Sequence, residues 1–589
     1  VQINNSFSGQ NYLPLSVGML QAYAQAHLEH PEDYEFLLPI YKRIPVDDAV
    51  LDLAFADTVF FSVYVWNYRI SLAIAKRLKD LWPDKLTIFG GPHVPDHPAE
   101  FLREHRFVDI ACHAEGEQTF LELLERVHTK TLGEIAGISW MDNDTCITNP
   151  KPPRIADLDT VPSPYLTGVF APLMAANPDE TWIALWETNR GCPFSCTFCD
   201  WGSAVQAKVH NYGTERLKAE VDWFADNQIE FLFCCDANYG IMRRDVELSE
   251  YVAEVKARTG YPHALSVQNT KNATEQAYKT QKILSDAGLN KGVDLALQST
   301  DQATLVAVKR ANISQETYKE LQRRFTRDGV ETFTDIILGL PGETYDSFAD
   351  GISSVIEQGQ HNRIQFNNLT ILPNAEMGNP RYQKHHGIET VEQQTINIHG
   401  SLVEEEIIET QQLVIATNTL PRTDWVKTRV FSWMAAFLHF DKVIQIPLIM
   451  MHELCGISYR DLIETFTEPA PKSLMVLQEV QALFQKQAED MLEGGPDFTR
   501  SEEHLNIWWP TDEYALIKLA TEESMWQGKS KLERFYTEAE VLLSHLAGKR
   551  VSLTVLHEAF ALNSALMKLP FQTEDLELRF TYNIWEVYQ

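Results

Sequence analysis

The chain has 589 residues, a length typical of three or four domains, and its hydrophobic fraction of 44% is ordinary for a globular protein. Its 82 acidic and 50 basic residues give a formal net charge of −32. A surface this acidic repels phosphate backbones and anionic lipid headgroups, so we expect neither nucleic acid nor a membrane as a partner.

The cysteines and the N-terminal residues indicate a cytoplasmic protein. The eight cysteines follow no disulfide spacing, as expected in a reducing compartment. The N-terminal residues lack the basic and apolar regions of a signal peptide. No stretch long enough to cross a membrane is both apolar and uncharged.

Residues 1–145 alternate short apolar runs with amphipathic stretches, which predicts a domain built on a doubly wound, Rossmann-like parallel sheet. The predicted strands are 1–4, 58–64, 85–91 and 108–114, and the predicted helices are 16–29, 68–82, 97–105 and 117–127. Such sheets bind ligands at the carboxyl ends of their strands, where the loops 64–67, 90–93 and 113–117 are expected. In the alternative interpretation, Gly90 and Gly91 only turn the chain and Trp66 is a core residue.

A proline-rich linker is expected over 146–180, and a second strand–helix alternation follows over 181–397. The predicted strands are 183–187, 230–235, 263–267, 293–297, 332–338 and 363–369. The predicted helices are 214–227, 244–258, 274–287, 314–328 and 345–358. Six strand–helix units predict a partial (β/α)6 TIM barrel, whose active site is expected at the carboxyl ends of the strands.

The loop after the first of these strands contains Cys192, Cys196 and Cys199 with the spacing C-x3-C-x2-C. Three thiolates on a four-iron cluster leave one iron open to a substrate or cofactor, whereas the clusters of electron carriers have four cysteines. The alternatives are a zinc knuckle and buried core thiols. Structural zinc requires four ligands, and no second C-x2-C pair follows at knuckle spacing. Core thiols would not need the turn formed by Gly191 and Pro193.

From 398 to 589 the pattern becomes mainly α-helical, and we expect a C-terminal domain that caps the barrel and shapes a substrate pocket. The predicted helices are 404–418, 424–439, 441–454, 459–465, 472–492, 512–525 and 531–547. His504, Trp508 and Trp509 either line this pocket or pack between the helices as core.

Together these features resemble the cobalamin-dependent radical S-adenosylmethionine (SAM) enzymes. The resemblance covers roughly residues 1–375, and it depends on the cysteine loop, the six strand–helix units and the loops that contain Gly90 and Glu115. It implies a [4Fe-4S] cluster on the three cysteines, together with SAM and cobalamin, which perform the difficult chemistry while the protein positions them.

The resemblance also implies a set of SAM contacts in the barrel. Arg310 is alternatively a surface charge, and Gly339 is alternatively part of a tight turn only. The implied contacts are Phe198, Asp236, Asn238, Gln268, Gln298, Ser299, Arg310 and Gly339.

The cobalamin contacts that the resemblance implies lie in the three loops of the first domain. They are Trp66, Asn67, Gly90, Gly91, His93, Glu115, Gly116 and Glu117. The chain lacks the Asp-x-His-x-x-Gly motif by which many cobalamin proteins supply a histidine to cobalt. The resemblance therefore places Trp66 or Asn67 beneath the cobalt, where a bulky apolar residue would favour reduction to Co(I).

The activity implied is transfer of a methyl group from SAM, via methylcobalamin, to an unactivated carbon of a small molecule or peptide. A 5′-deoxyadenosyl radical would remove the substrate hydrogen, and a flavodoxin- or ferredoxin-type protein would supply electrons. The alternatives are a non-methylating cyclase or rearrangement enzyme, polar methyl transfer without a radical, and a cobalamin-binding sensor or carrier. The lack of a hydrolase triad or paired-carboxylate motif agrees with radical chemistry, which needs no acid–base pair.

Overall fold

The computed structural model describes residues 1–126, 131–201, 207–270, 275–397, 407–522, 530–567 and 576–588. The chain divides into two compact units. The first unit comprises Val1–Val293, Thr370–Lys384 and His399–Gln412, and the second comprises Asp294–Leu369, His385–Ile398 and Leu413–Gln589.

A five-stranded sheet forms the N-terminal part of the first unit. Its strands, in spatial order, are Thr58–Ser62, Leu86–Gly90, Ile110–Cys112, Ile138–Asp142 and Thr145–Thr148. The first three are parallel, as predicted, and they are mostly buried apolar runs. The last two add an antiparallel hairpin that the sequence analysis did not predict.

Four helices of this region lie close to their predicted positions. They are Leu15–His27, Tyr68–Leu81, Ala99–Glu104 and Glu117–Arg126. A fifth helix, Val46–Asp52, is one that the sequence analysis does not predict. The prediction of a strand over 1–4 is wrong, because Asn4 forms only an isolated bridge with Lys42. Residue 127, the predicted end of the last helix, lies outside the described residues.

A second, four-stranded parallel sheet completes the first unit. Its spatial order is Asn11–Tyr12, Trp182–Trp186, Phe231–Cys234 and Ala264–Ser266. The helices Thr214–Asp226, Arg243–Thr259 and Glu275–Asp286 follow its last three strands. The proline-rich linker packs into the same core through Leu158, Tyr165 and Phe170.

The remaining predicted strands form a three-stranded sheet of Val293–Asp294, Thr332–Leu338 and Ile364–Asn368. The associated helices are Gln302–Ala307, Gln315–Arg327 and Tyr345–Glu357. Side-chain caps set their starts, since Ser314 accepts a hydrogen bond from the amide of Thr317 and Thr344 from that of Ser347. All six predicted strands and all five predicted helices are present, and residue 274, the predicted start of one helix, lies outside the described residues. Their closure into one partial barrel stays a prediction.

The C-terminal region is mainly helical, as predicted. Its helices are Arg422–Ala435, Gln445–Cys455, Tyr459–Thr467, Met475–Leu492, Thr511–Thr521, Lys531–Ala547, Leu553–Leu566 and Ile584–Tyr588, and a π-helical turn covers Ala436–Phe440. The prediction of a helix over 404–418 is wrong in its described part, because Thr410–Ala416 is a strand. Residues 404–406 of this prediction, and 523–525 of the predicted helix 512–525, lie outside the described residues. Glu389–Gln394 is also a strand, and Phe498–Ser501 pairs with Ile507–Pro510 in a hairpin that contains Trp508 and Trp509.

Among the described helices, none is by itself both long and apolar enough to cross a membrane. One pair of helices within the described ranges, Arg422–Phe440 and Gln445–Cys455, meets the length and composition requirement together, and it is bent by 94°.

Gly90 and Gly91, where the strand Leu86–Gly90 meets the following loop, allow a test of the backbone conformation there. Gly91 has φ +106°, and a Cβ there would lie 2.6 Å from the carbonyl oxygen of Val63. A Cβ on Gly90 would meet only the Cβ of Cys112 at 3.5 Å, which is ordinary contact. We expect Gly91→Ala to lower the free energy of unfolding by about 1–3 kcal/mol, from strain plus a backbone clash. Gly90→Ala should change it by less than about 1 kcal/mol. Urea unfolding measures both, and equal values would contradict this account of the loop.

Candidate active site

The cysteine loop follows the strand Trp182–Trp186 and is fixed at both ends by backbone contacts. The short strand Asn189–Arg190 pairs with His210–Asn211, and the amide of Ala207 donates to the carbonyl of Cys192 over 3.0 Å. Gly191 lies between these contacts with φ +125°, where a Cβ would be 2.4 Å from the carbonyl oxygen of Lys208. This crowding explains why glycine precedes the first cysteine.

The three cysteines differ in exposure and in their neighbours. Cys192 and Cys196 are buried, whereas Cys199 is half-buried. The amide of Asn238 donates from Nδ2 to Sγ of Cys192 over 3.2 Å, and Asn238 is itself 2% exposed. A donor of this kind stabilises the thiolate form of a metal ligand. Asn238, predicted as a SAM contact, therefore also contacts a predicted cluster ligand.

Asp236, another predicted SAM contact, supports the strand that leads to the cysteine loop. Its carboxyl accepts hydrogen bonds from the backbone and hydroxyl of Thr188, at 2.8 and 2.5 Å, and from the backbone and amide of Asn189, at 3.1 and 2.7 Å. Complete burial raises the pKa of Asp236 to about 7, although these donors favour the charged form. The carboxyl therefore fixes the backbone three and four residues before Cys192.

A cavity of about 360 Å³ in the first unit joins the cysteine loop to two of the predicted cobalamin-binding loops. Its lining is Gly91, Pro92, Val94, Asp96, Cys112, His113, Ala114, Ser195, Cys196, Cys199, Asp200, Asn374, Ala375 and Glu376. Such a volume is typical of small-molecule and cofactor sites. Of the predicted site residues, Gly91, Cys196 and Cys199 meet in this cavity. Gln268 lies apart from the lining, and its carbonyl oxygen accepts a hydrogen bond from the amide of Tyr239.

One short segment, 374–382, holds both sides of the cavity in place. The Asn374 amide donates to the carbonyls of Pro92 and Val94, each over 2.8 Å, and accepts from the backbone amide of Asp96 over 2.8 Å. The amide of Met377 donates to the carbonyl of Thr197, inside the cysteine loop, over 2.9 Å. We call this segment the bracket, because it fixes the loop 91–96 and the cysteine loop relative to each other.

A buried ion pair makes a second link between the two sides. Arg190 donates from Nη2 to Oε1 of Glu117 over 2.6 Å, and its Nε contacts Glu187 at 3.0 Å. The side chains of Arg190 and Glu117 are 13% and 5% exposed. The carboxylate of Glu117, predicted as a cobalamin contact, is thus bound by Arg190, which lies two residues before Cys192. Glu115 is also engaged and accepts the backbone amide of Ile155 over 2.6 Å.

The predicted residues beneath the cobalt have different surroundings. Asn67 is fully buried. Its side-chain oxygen accepts a hydrogen bond from the backbone amide of Tyr64 over 2.7 Å, and its Nδ2 donates to the carbonyls of Ile3 over 2.8 Å and Ser62 over 3.0 Å. Trp66 is half-buried and stacks on Tyr64 with ring centroids 4.5 Å apart. Of the two, Trp66 is the one whose side chain can meet a ligand. The His93 ring contacts Tyr68, and burial lowers the pKa of His93 to about 4, so the ring is neutral.

Four predicted SAM contacts belong to the second unit. Ser299 donates to Oε1 of Glu343 over 2.9 Å, which joins it to the loop that follows the strand Thr332–Leu338 and begins with Gly339. Arg310 is 5% exposed and donates to the carbonyl of Ala296, so its interpretation as a surface charge is wrong. Gly339 and Gln298 adopt φ +95° and +65°.

The cysteine loop fits a [4Fe-4S] cluster better than a single ion. In the part of the chain that the structure describes, no three His, Cys, Asp or Glu side chains could hold one metal ion. A four-iron cluster places each thiolate on a different iron, so its ligands need not converge on one point. The amide donor on Cys192 and the cavity beside Cys196 and Cys199 suit a cluster with an open iron.

Comparisons with known proteins agree with this arrangement. Residues 186–353 match the family model of the Radical SAM superfamily, and residues 19–124 match that of the B12 binding domain. The cobalamin-dependent radical SAM methyltransferase TokK of Streptomyces tokunonensis is 37% identical over 452 residues, which is 76% of this chain and 66% of TokK. The 2-(S-pantetheinyl)-carbapenam-3-carboxylate methyltransferase of Streptantibioticus cattleyicolor is 35% identical over 471 residues, which is 79% of this chain and 69% of that enzyme. The chain thus spans about two thirds of the length of these curated relatives.

Two solved structures share the fold. The cobalamin-dependent SAM radical enzyme OxsB, with aqua-cobalamin and SAM bound, gives a TM-score of 0.54 at 14% identity, over 95% of this chain and 82% of OxsB. The radical SAM methyltransferase TsrM from Kitasatospora setae, with cobalamin and a [4Fe-4S] cluster bound, gives 0.52 at 14% identity, over 72% of this chain and 86% of TsrM.

Sequence reasoning missed the contacts that hold the site together. The amide of Asn374 bonds to three backbone groups of another loop, and no sequence pattern indicates such a contact. Arg190 and Glu117 are 73 residues apart, beyond the reach of any local pattern.

The bracket predicts a local effect of Asn374→Ala. The substitution removes three hydrogen bonds worth about 1 kcal/mol each, so amides of the loop 91–96 should exchange with deuterium about ten-fold faster or more in the apoprotein. Asn379→Ala is the matched control, because that side chain caps only the neighbouring amide of Arg381. Hydrogen exchange with mass spectrometry measures both. Unchanged exchange in Asn374→Ala would show that the bracket does not hold this loop.

The buried ion pair predicts a loss of stability in Glu117→Gln. Arg190 would lose one of its two carboxylate partners and keep only Glu187, and the loss of this charged hydrogen bond costs about 1.5–3 kcal/mol. Glu125→Gln changes an exposed carboxyl on the same helix and should cost less than about 0.5 kcal/mol. Urea unfolding of the apoprotein compares them, and equal midpoints would refute a stabilising role for the pair.

Proposed function

Because this chain belongs to the family of cobalamin-dependent radical SAM methyltransferases, we propose that it moves a methyl group from SAM to an unactivated carbon of a small molecule. The observation that carries the proposal is the single cavity lined by Cys196 and Cys199 on one side and by Gly91 and His113 on the other. Methyl transfer by this chemistry needs the cluster site and the cobalamin site side by side, and this cavity adjoins both sets of residues.

The cofactors of this family are a [4Fe-4S] cluster, SAM and cobalamin. When bound, the cluster supplies the electron that cleaves SAM to a 5′-deoxyadenosyl radical, and cobalamin carries the methyl group. The chain's own part is to bind and orient these groups. Cys192, Cys196 and Cys199 would hold the cluster, with Asn238 donating to the sulfur of Cys192. The bracket would keep the loop 91–96 at a fixed distance from the cysteine loop.

The remaining predicted contacts complete the proposal. Phe198, Gln268, Gln298, Ser299, Arg310 and Gly339 are proposed to bind SAM, and Trp66 is proposed to lie beneath the cobalt. The proposed domains are 1–145 for cobalamin, 181–397 for the cluster and SAM, and 398–589 for the substrate. A flavodoxin- or ferredoxin-type protein in a reducing cytoplasm would deliver the electrons.

The named relatives support a small molecule over a peptide as substrate. One of them acts on 2-(S-pantetheinyl)-carbapenam-3-carboxylate and is 35% identical to this chain. We therefore propose a small thioether-bearing carboxylate of this kind as the first candidate substrate.

A product assay tests the activity. The protein is reconstituted anaerobically with iron, sulfide and hydroxocobalamin, and then incubated with SAM, a strong reductant and the carbapenam thioether. We expect 5′-deoxyadenosine, S-adenosylhomocysteine and a substrate heavier by one methylene, all measured by mass spectrometry. Cys196→Ala should abolish all three products, since it removes a cluster ligand. Cys455→Ala, which changes a thiol at the end of the helix Gln445–Cys455, should retain them.

Each other outcome points to a different activity. Deoxyadenosine without homocysteine would favour a non-methylating radical enzyme. Homocysteine alone would favour polar methyl transfer. If neither product forms in any condition, the proposed activity is wrong.

A further inference from the structure

We propose that His113 binds cobalamin by accepting a hydrogen bond at Nδ1 from a carboxamide N–H of the corrin periphery. Ser139 and Thr148 hold the ring in the tautomer that leaves this nitrogen free to accept. The inference rests on the cobalamin dependence of the proposed function, and it adds a residue that the family resemblance did not supply.

The position of His113 follows from the five-stranded sheet. The residue comes directly after the parallel strand Ile110–Cys112, at the carboxyl end where such sheets bind ligands. Its backbone amide donates to the carbonyl of Gly137 over 2.8 Å, so the neighbouring antiparallel strand anchors it. The residue is only 5% exposed and lies on the wall of the 360 Å³ cavity.

A chain of hydrogen bonds determines which ring nitrogen carries the proton. Nε2 of His113 lies 2.9 Å from the hydroxyl of Ser139, and that hydroxyl donates to Oγ1 of Thr148 over 2.9 Å. Because the Ser139 proton is already used, its oxygen accepts from Nε2–H. The neutral ring then has a lone pair on Nδ1.

This Nδ1 has no hydrogen-bond partner among the residues that the structure describes. Oδ1 of Asp96 is 4.0 Å from Nδ1, beyond hydrogen-bonding distance, and is itself bound by Lys151 at 2.7 Å. Burial lowers the pKa of His113, so the ring stays neutral at pH 7 and Nδ1 stays an acceptor. A buried acceptor left unpaired costs about 1–3 kcal/mol, and a ligand with an N–H donor would recover this free energy on binding.

Two cofactors of this site carry N–H donors, namely the carboxamides of cobalamin and the amino groups of SAM. The position of His113 favours cobalamin. It lies within residues 19–124, which match the B12 binding domain, and the same cavity wall contains the loop 91–96 of that domain. The cysteine loop, where SAM would bind the open iron, forms the other wall.

The test is the affinity of the apoprotein for hydroxocobalamin, measured by equilibrium dialysis with absorbance detection. His113→Asn places an amide oxygen near the position of Nδ1 and should stay within about three-fold of wild type. His113→Gln places its amide nearer to Ser139 and should lose ten-fold or more, the equivalent of one hydrogen bond. His113→Phe should lose at least as much as His113→Gln. Ser139→Ala removes the hydrogen bond that fixes the His113 tautomer but keeps the imidazole ring. It should lower the affinity for hydroxocobalamin less than His113→Phe does.

The results separate the possible errors. Equal affinities of the Asn and Gln variants would overturn the proposal, and this comparison decides it even if the Phe variant does not fold. A loss confined to SAM affinity, measured by calorimetry on the same variants, would assign the donor to SAM and also overturn it. Failure of the wild-type protein to bind hydroxocobalamin would instead refute the cobalamin dependence on which the inference rests.

Discussion

The side-chain amide of Asn374 makes three hydrogen bonds to the loop 91–96, and the cavity between this loop and the cysteine loop depends on them. Transfer between two cofactors requires that their binding loops keep a fixed separation, because a misplacement of about 1 Å can cost a hundred-fold in rate. Loops that belong to separate sheets have no ladder of backbone hydrogen bonds to supply this. The bracket does so by binding the loop 91–96 through Asn374 and the cysteine loop through Met377.

The ion pair of Arg190 and Glu117 supplies the same constraint by electrostatics. A buried charge is costly unless it is paired. Separating the two charges therefore costs more free energy than the pair contributes to the net stability of the fold. Arg190 is followed by Gly191 and the first cysteine, while Glu117 begins the helix after the predicted cobalamin loop. The acidic surface of the chain, with its net charge of −32, gives no indication of this internal balance.

The sequence predicted the elements well where local periodicity determines them, and failed where distant contacts do. All six strands of the second alternation could be predicted, because buried parallel strands appear in a sequence as apolar runs bounded by turns. The run in 410–416 was misread as helix because a short apolar stretch fits either period. The sequence analysis does not predict the hairpin of Ile138–Asp142 and Thr145–Thr148, whose second strand lies mostly inside the predicted proline-rich linker. That hairpin supplies Ser139, so the partner of His113 could not be predicted either.

Two buried carboxyls among the predicted SAM contacts and their neighbours have raised pKa values without a need for acid–base catalysis. Asp236 receives four hydrogen bonds from backbone and side-chain donors, and burial still raises its pKa to about 7. Glu343 receives one side-chain hydrogen bond, from Ser299, and burial raises its pKa to about 8, so it is mostly protonated at pH 7. Hydrogen abstraction by a radical needs neither an acid nor a base. Both groups contribute by holding other residues in position. Asp236 fixes the backbone before the cysteine loop, and Glu343 binds Ser299 to the loop that begins with Gly339.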